Sequence, residues 1–340
     1  MDQYLGGLMA SRPTQADVAV IAGVSRQTVS LVVRDDPRVS DQKRDAVHAA
    51  MQELGYHTNL AARALASNRT RFIGIVLSVM DNPFHSHLVE LIRQHCETAN
   101  LIPFIAPVGE NTAEESIAIT RFSELNVDGL ILISPLLEED QIQGIASRTP
   151  TVLVTRNVGP ENADLVHTDD VAGGRMATEH LLDAGYERVI FLGYDRPVPG
   201  DSSVLRWRGY EQVMGEVAQA PHSYLRPKEA VTATARSILE QFGAGTGIVC
   251  HNDMIAIEVI GVLGEFGLAL GKDIGIVGFD NTRIGALPAI SLTSIDQQTE
   301  EIARKAMNFL TERVEGQRSD RKNLSLPSTL IPRGSTQRTR

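Results

Sequence analysis

One short predicted helix begins with consecutive side chains that all offer hydrogen bonds. Arg26, Gln27 and Thr28 follow Ser25, a residue type that caps helix N-termini, and Arg34 lies at the other end of the helix. Guanidinium and amide groups form paired hydrogen bonds with base edges, while hydroxyl groups bind phosphates. This combination indicates a surface that can read the sequence of a DNA duplex.

Polar side chains also gather at the predicted ends of buried strands. Segments 81–85, 251–253 and 280–281 each follow an apolar run, and segment 201–210 opens a predicted helix. Parallel sheets bind ligands in the crevice beyond the carboxyl ends of their strands, so these segments are candidates for a ligand cleft. For Asp170 and Asp253 the alternative is a plain helix-capping role.

The base-reading residues need a scaffold, and the flanking sequence predicts one. Residues 14–33 are typical of two short helices, with Thr14 and Asp17 close to a capping box and Gly23 as the left-handed residue between them. A third amphipathic helix follows over 41–54. The pattern predicts a helix-turn-helix, which places its second helix in the major groove. An ordinary helical hairpin is the alternative.

From Phe72 onward, apolar runs alternate with amphipathic segments. This alternation predicts parallel sheets covered by helices on both faces, and a break near 155–165 suggests two sheets. The predicted strands are Phe72–Val79, Ile102–Ala106, Gly129–Ser134, Val152–Val154, Val189–Gly193, Gly247–Cys250 and Ile274–Gly278.

Charge is distributed unevenly along the 340 residues. The whole chain carries a net charge of −10, but residues 1–71 hold nine basic and seven acidic side chains. A mildly positive head on an acidic body suits a head that meets phosphates. Cys96 and Cys250 lie far apart in apolar surroundings, which predicts reduced core thiols. Without an export signal or a membrane-length apolar run, we expect a cytoplasmic protein.

The head resembles the lactose-repressor (LacI/GalR) family of bacterial regulators. The resemblance rests on Asp17-Val-Ala, Ala22-Gly-Val-Ser, Thr28-Val-Ser and the run from Val39 to Ala66, and it continues through most of the chain. It implies a small all-α helix-turn-helix head and an α/β body of two parallel-sheet lobes, similar to a periplasmic binding protein. The first lobe is expected at 72–160 with 294–320, and the second at 161–293 with a terminal strand near Leu330.

The resemblance also implies a hinge helix between head and body. Residues 59–66 are too few to form a stable helix alone in water, and in the family such a segment orders on DNA and inserts its leucine, here Leu65, into the minor groove. The alternative is a plain linker. The residues that we predict to contact DNA are Thr14, Ser25, Arg26, Gln27, Thr28, Ser30, Arg34, Arg38, Tyr56, Asn59, Ala62 and Leu65.

Matches to family motifs at the strand ends imply an effector site in the body. A sugar-like effector needs carboxylate, amide and guanidinium partners for its hydroxyl groups and an aromatic face for its ring. The predicted effector-binding residues are Asp81, Phe84, His85, Asp169, Arg206, Tyr224, Asn252 and Asp280.

Other function classes fit the sequence less well. A free-standing solute-binding protein would share the body but would need an export signal and would lack the head. A dehydrogenase would need a glycine-rich turn after the first strand, where Ser78–Phe84 stands instead. A zinc site from Asp81, His85 and His87 lacks thiolates or a third well-spaced histidine.

The sequence therefore predicts a non-enzymatic regulator of transcription that binds operator DNA as a homodimer, with a tetramer as the alternative. Its domains are expected at 12–58 for the head, 59–71 for the hinge and linker, and 72–340 for the effector-binding and dimerisation body. We expect a sugar or related metabolite as effector, with a purine or nucleoside as the alternative. No metal, other cofactor or membrane partner is expected.

Overall fold

The computed structural model describes residues 13–34, 36–57, 69–195, 198 and 200–338. The chain divides into two compact units, one up to Arg71 and one from Phe72. Residues 58–68, which include most of the predicted hinge, lie outside the described residues. The two units are therefore described separately.

The head consists of helices α1 (Gln15–Ile21), α2 (Arg26–Val33) and α3 (Asp41–Leu54). Thr14 and Asp17 form the expected capping box at the start of α1, and Gly23 has a φ of 64° in the turn that follows. The three helices enclose a small core that includes Val18, Val29 and Val47. The helix-turn-helix prediction is confirmed, because the caps and the left-handed glycine determine where each helix ends.

The body alternates strands and helices, and it contains these elements in chain order: β1 (Phe72–Leu77), α4 (Pro83–Thr98), β2 (Ile102–Pro107), α5 (Thr112–Glu124), β3 (Gly129–Ile133), α6 (Glu139–Ala146), β4 (Thr151–Val154), β5 (Asp164–Thr168), α7 (Asp170–Asp183), β6 (Arg188–Tyr194), α8 (Ser202–Glu216), β7 (His222–Arg226), α9 (Val231–Phe242), β8 (Thr246–Cys250), α10 (Asp253–Val262), β9 (Ile274–Phe279), β10 (Thr293–Asp296), α11 (Thr299–Val314), β11 (Asn323–Leu326) and β12 (Thr329–Ile331).

The strands form two six-stranded sheets, one in each lobe. The first sheet has the order β11-β5-β4-β3-β1-β2, and the second has the order β12-β10-β9-β8-β6-β7. Described neighbours are parallel except for β10 and β12, which run antiparallel at one edge. The chain passes between the lobes after β5, after β10 and after β11. The expected two-lobed α/β body is confirmed.

The predicted lobe boundaries were wrong at two strands. Strand β5 belongs to the first sheet and β10 to the second, so the lobes change at 168–170 and 296–299 rather than near 160 and 294. Strand β5 was missed because it contains Asp164, an acid at a fully buried position. Arg313 and Arg318 neutralise that carboxylate at 2.8 and 2.7 Å, so the tertiary structure makes an unpromising strand sequence stable.

Helices α7 and α8 approach each other unusually closely because both carry glycine at the crossing. A Cβ atom on Gly174 would lie 2.1 Å from the carbonyl oxygen of Arg206, and one on Gly209 would lie 2.2 Å from that of Val171. This contact brings Asp170 at the start of α7 next to Arg206 on α8. Gly209, three residues after Arg206, therefore helps to position Arg206 by allowing the close helix contact.

Within the described residues, no single helix is both long and apolar enough to cross a membrane. The bent pair α1 and α2 passes the same test of length and composition only when the two helices are joined across a bend of 108°.

Candidate functional sites

The start of α2 presents polar side chains on an exposed surface. Ser25 Oγ accepts the backbone N–H of Thr28 at 3.1 Å, which places Arg26 and Gln27 in the exposed first turn. Val29, one turn further, is buried in the core of the head. The alternation of buried and exposed positions leaves the predicted base-reading groups facing outward.

The other predicted DNA contacts in the head have mixed environments. Arg38 is exposed but clasps Asp36 with two hydrogen bonds of 2.9 and 2.7 Å, and this pair lowers the pKa of Asp36 to about 2. Arg34 is exposed, Ser30 is half-buried, and Tyr56 packs against the core of the head. Asn59, Ala62 and Leu65 lie outside the described residues, so their predicted roles stay predictions.

Six of the eight predicted effector-binding residues line one cavity between the lobes, at the carboxyl ends of both sheets. The cavity encloses about 100 Å³. The six residues are Asp81, Phe84, His85, Arg206, Asn252 and Asp280. Two lie outside it: Asp169 caps α7 by accepting the N–H of Ala172, and Tyr224 lies on the edge strand β7 under the guanidinium of Arg226.

Arg206 is held rigidly at the cavity wall. Its Nε donates to Asp170 Oδ1 at 2.8 Å, its Nη1 donates to the carbonyl oxygen of His251 at 2.5 Å, and its guanidinium carbon lies 3.4 Å from the ring centroid of Phe279. Among the described residues, Nη2 has no protein hydrogen-bond partner. A ligand oxygen can therefore accept from a guanidinium whose position is already determined.

Asp280 receives hydrogen bonds from the first lobe and from the segment that joins the lobes. Gln297 Nε2 donates to one carboxylate oxygen at 2.5 Å, and Asn82 Nδ2 donates to the other at 3.4 Å. Burial raises the pKa of Asp280 from 3.8 to about 7; Arg206 opposes this rise, and nearby Asp253 adds to it. The Asp280 backbone has a φ of 105°, which an aspartate adopts only when the surrounding structure enforces it.

The helix-capping alternative for Asp170 and Asp253 is wrong, because their neighbours do the capping. Asp169 caps α7 and Asn252 caps α10. Asp170 pairs with Arg206, and Asp253 accepts from Ser294 Oγ at 2.6 Å and from the N–H and hydroxyl of Thr282. Burial raises the pKa of both carboxyl groups.

On the first-lobe side, a chain of hydrogen bonds lines the cavity. His85 Nδ1 lies 3.1 Å from the carbonyl oxygen of Val79, its Nε2 lies 3.1 Å from Ser134 Oγ, and that hydroxyl lies 2.7 Å from Thr155 Oγ1. Ser134 and Thr155 have positive φ values of 50° and 64° where β3 and β4 end. The strand ends therefore turn their hydroxyl groups toward the ligand space.

An ion pair connects the lobes beside the same cavity. Lys228 Nζ, in the second lobe, lies 2.7 Å from Asp81 Oδ2 in the first, and the pair lowers the pKa of Asp81. Both side chains are partly exposed, at 44% and 66%. The pair therefore links the two lobes directly, but water screens it and limits its strength.

Sequence reasoning missed several residues of the cavity wall. They share no motif, since they come from strand ends, from connecting segments and, for Glu258, from within α10: Glu110, Ser134, Thr155, Tyr194, Lys228, Glu258 and Gln297. His251 also lies on the wall, within the segment 251–253 that the sequence had indicated as part of a cleft. Tyr194 supplies an aromatic ring, which the sequence analysis had assigned to Tyr224.

Known protein families match both units. The model for bacterial regulatory proteins of the lacI family matches residues 14–59, and that for a periplasmic binding protein-like domain matches residues 178–336. The chain therefore combines a lacI-family helix-turn-helix domain with a periplasmic binding protein-like domain. Its fold and its helix-turn-helix are therefore those of a DNA-binding transcriptional regulator, as the sequence analysis predicted.

Similarity to individual transcriptional regulators extends over nearly the whole chain. The transcriptional repressor PurR of Pasteurella multocida is 26% identical over 330 residues, which span 95% of this chain and 98% of that protein. The transcriptional regulator DegA of Bacillus subtilis is 28% identical over 338 residues, which span 96% and 98%. The lac repressor dimer bound to operator and the anti-inducer ONPF aligns with a TM-score of 0.82 at 25% identity, covering 95% of this chain and 99% of that chain.

Proposed function

We propose that the protein is a homodimeric repressor whose affinity for operator DNA is set by a small effector bound between the lobes of the body. The observation that carries this proposal is the cavity, where polar groups from both lobes converge on one space. A ligand that contacts both lobes binds more tightly when they are closed, so it shifts the population between two arrangements of the body.

Gln297 is our candidate for the residue that couples the cavity to this rearrangement. It lies where the chain passes from β10 to α11, and it contacts Asp280 in the cavity and Thr168 Oγ1, at 3.1 Å, on another segment that joins the lobes. A change in the hydrogen bonds of Asp280 on effector binding therefore alters the contacts of Gln297 where the two lobes meet.

A polyhydroxylated effector suits the cavity best. The wall offers acceptors at Asp280, donors at Arg206 and Asn252, hydroxyl groups at Ser134, and an aromatic ring at Tyr194. This mixture matches the hydroxyl groups and apolar faces of a sugar. A purine or nucleoside is the second candidate, because the Tyr194 ring, 5.3 Å from that of His251, offers a flat surface.

We assign DNA recognition to the exposed start of α2, with Arg26 and Gln27 reading bases and Ser25 and Thr28 near phosphates. The predicted contacts of Thr14, Ser30, Arg34, Tyr56 and the hinge residues are part of the same proposal. Arg38 belongs to it only if DNA phosphates compete with Asp36. We assign the protein no catalytic role and place it in the cytoplasm.

The test joins operator selection with effector screening on the full-length protein. Enriched DNA from a random pool gives the operator, and fluorescence anisotropy then measures its affinity with and without sugars and nucleosides. We expect Arg26→Ala to lower specific affinity by about 1–3 kcal/mol, with little change for Lys43→Ala on α3. Absence of any enriched sequence would contradict the proposal.

A further inference from the structure

Asp253 is a fully buried carboxylate that stands between two residues of the cavity wall, Asn252 and Met254, but is not itself part of that wall. Its Oδ2 accepts the N–H of Thr282 at 2.7 Å and the hydroxyl of the same residue at 2.8 Å. Its Oδ1 accepts the hydroxyl of Ser294 at 2.6 Å. A buried carboxylate is stable only where such donors replace its hydration. Asp253 therefore acts on the segment after β9 and on β10.

The donors that Asp253 binds hold the chain directly after Asp280. The N–H of Thr282 binds the carboxylate itself. Ser294 Oγ donates to Asp253 and at the same time accepts the N–H of Asn281 at 2.9 Å. One carboxylate thus holds the two successive peptide N–H groups that follow Asp280, one directly and one through a hydroxyl group.

The backbone that these hydrogen bonds hold has an unfavourable conformation. Asp280 and Asn281 have positive φ values of 105° and 49°, a region that residues with side chains adopt only when the surrounding structure enforces it. The N–H of Asp280 also donates to the carbonyl oxygen of Ile295 at 2.8 Å. Hydrogen bonds on three consecutive N–H groups therefore maintain the conformation in which the Asp280 side chain lies on the cavity wall.

Two glycines leave room for the Asp253 carboxylate. A Cβ atom on Gly278 would lie 2.2 Å from Oδ1, and one on Gly285 would lie 3.1 Å from Oδ2. An amide in place of the carboxylate would leave one acceptor oxygen for three donors. The surroundings are therefore adapted to a carboxylate at this position.

We propose that Asp253 is a positioning residue for effector recognition, which acts through the backbone of Asp280. Thr282 and Ser294 transmit its effect, so that the Asp280 carboxylate is held where a ligand hydroxyl can reach it. The inference rests on the proposed function and identifies a group outside the cavity wall that determines how this carboxylate is presented to the effector.

The ionisation of Asp280 reports on its position. Burial raises the pKa of Asp280 to about 7, the charge of Arg206 opposes this rise, and that of Asp253 adds to it. A raised pKa in the folded state favours folding at low pH, and this contribution is lost as the pH rises through 7. If the backbone relaxes and the carboxylate reaches water, its pKa falls and the contribution shrinks.

A mutant cycle on the ligand-free, full-length protein tests the proposal. The free energy of unfolding is measured with urea at pH 5 and 7.5, and the part of its change that Asp280→Asn removes is the share of Asp280. This share is determined in the native, Ser294→Ala and Ser335→Ala backgrounds. We expect it to fall by about half or more in Ser294→Ala and to stay unchanged in Ser335→Ala.

Ser335 is a matched control in the same lobe. It is also fully buried, and its Oγ donates to the carbonyl oxygen of Ile276 at 2.6 Å and accepts the N–H of Thr293 at 2.8 Å. An equal share of Asp280 in all three backgrounds, or an equal fall in both variants, overturns the proposal. If Ser294→Ala does not fold, Thr282→Val, which keeps the shape of its side chain, replaces it with the same expectation.

Calorimetry with D-glucose, D-galactose, D-ribose and inosine adds a ligand-dependent test. For a compound that binds the native protein, Ser294→Ala should weaken binding about fivefold or more, and Ser335→Ala should not. Equal affinities of the native protein and Ser294→Ala overturn the inference but leave the proposed function intact. A reduced share of Asp280 in Ser294→Ala, with no binding of any of the four compounds, supports the positioning role and counts against the proposed function.

Discussion

Two buried arginines of the body, Arg206 and Arg156, have opposite electrostatic surroundings. Arg206 forms an ion pair with buried Asp170 at 2.8 Å and also acts on buried Asp280, whereas Arg156 has no carboxylate within ion-pair distance among the described residues. Both arginines are at least 96% buried. The scaffold therefore neutralises one guanidinium and leaves the other without a counter-ion among the described residues. The contrast teaches that equal burial does not imply an equal electrostatic environment.

Substitution of each arginine in turn should give the largest difference in stability between the two sites. Arg206→Met leaves Asp170 buried without its cation, so we expect the free energy of unfolding to fall by about 3–5 kcal/mol. Arg156→Met removes a charge that has no counter-ion, so the ligand-free protein should be equally stable or more stable. Urea unfolding of both variants at pH 7.5 checks this, and equal losses would show that the two arginines have the same structural role.

The excess of carboxylates around Arg206 should appear as a pH dependence. The folded-state pKa of Asp280 is raised to about 7, so between pH 4 and 7 the folded protein binds more protons than the unfolded chain. Its contribution to stability is present below pH 4 and is lost as the pH rises through 7. Asp280→Asn should reduce the change in the free energy of unfolding over this pH range by at most a few kcal/mol. The exposed control Asp183→Asn should leave that change as it is in the native protein. Parallel slopes for Asp280→Asn and the native protein, from urea unfolding at pH 5 and 7.5, would rule out this origin.

The close crossing of α7 and α8 keeps Asp170 beside Arg206. A wider crossing should therefore disturb this ion pair and leave the rest of the cavity wall in place. Gly209→Ala places a methyl group against the Val171 carbonyl oxygen and should cost about 1–3 kcal/mol. Gly215→Ala, on the same helix but in open space, should instead stabilise by about 0.5–1 kcal/mol. Thermal unfolding measures both, and a harmless Gly209→Ala would mean that the crossing adjusts freely.

The smallest effect is expected from the ion pair that joins the lobes. Lys228→Ala removes a partly exposed partner of Asp81, so its cost in stability should stay below about 1 kcal/mol. The informative measurement is small-angle scattering, where loss of the pair should increase the radius of gyration of the ligand-free protein. An unchanged radius of gyration would mean that another contact between the lobes, the hydrogen bond from Asn82 to Asp280, holds them together.

Local sequence was sufficient for the head and for most of the buried strands. Thr14, Gly23 and Ser25 act on neighbouring backbone groups, so their residue types alone predicted where α1 and α2 begin and end. Strand β7 was missed, since it mixes half-buried and exposed residues at a sheet edge. Tyr224, the predicted stacking aromatic, lies on β7 outside the cavity, because a position on that strand does not reveal where the sheet edge lies.

By itself, the sequence determined the order of elements, the helix-turn-helix and six of the residues that line the cavity, because caps, periodicity and motifs act over a few neighbouring positions. Only the tertiary structure decided which charges are satisfied. Asp170 meets Arg206 across two helices, Gln297 meets Asp280 at the junction of the lobes, and Arg156 has no carboxylate within ion-pair distance in the part of the chain that the structure describes. Partners so distant in the chain are chosen by packing, since the energy of a buried charge depends on what surrounds it in space.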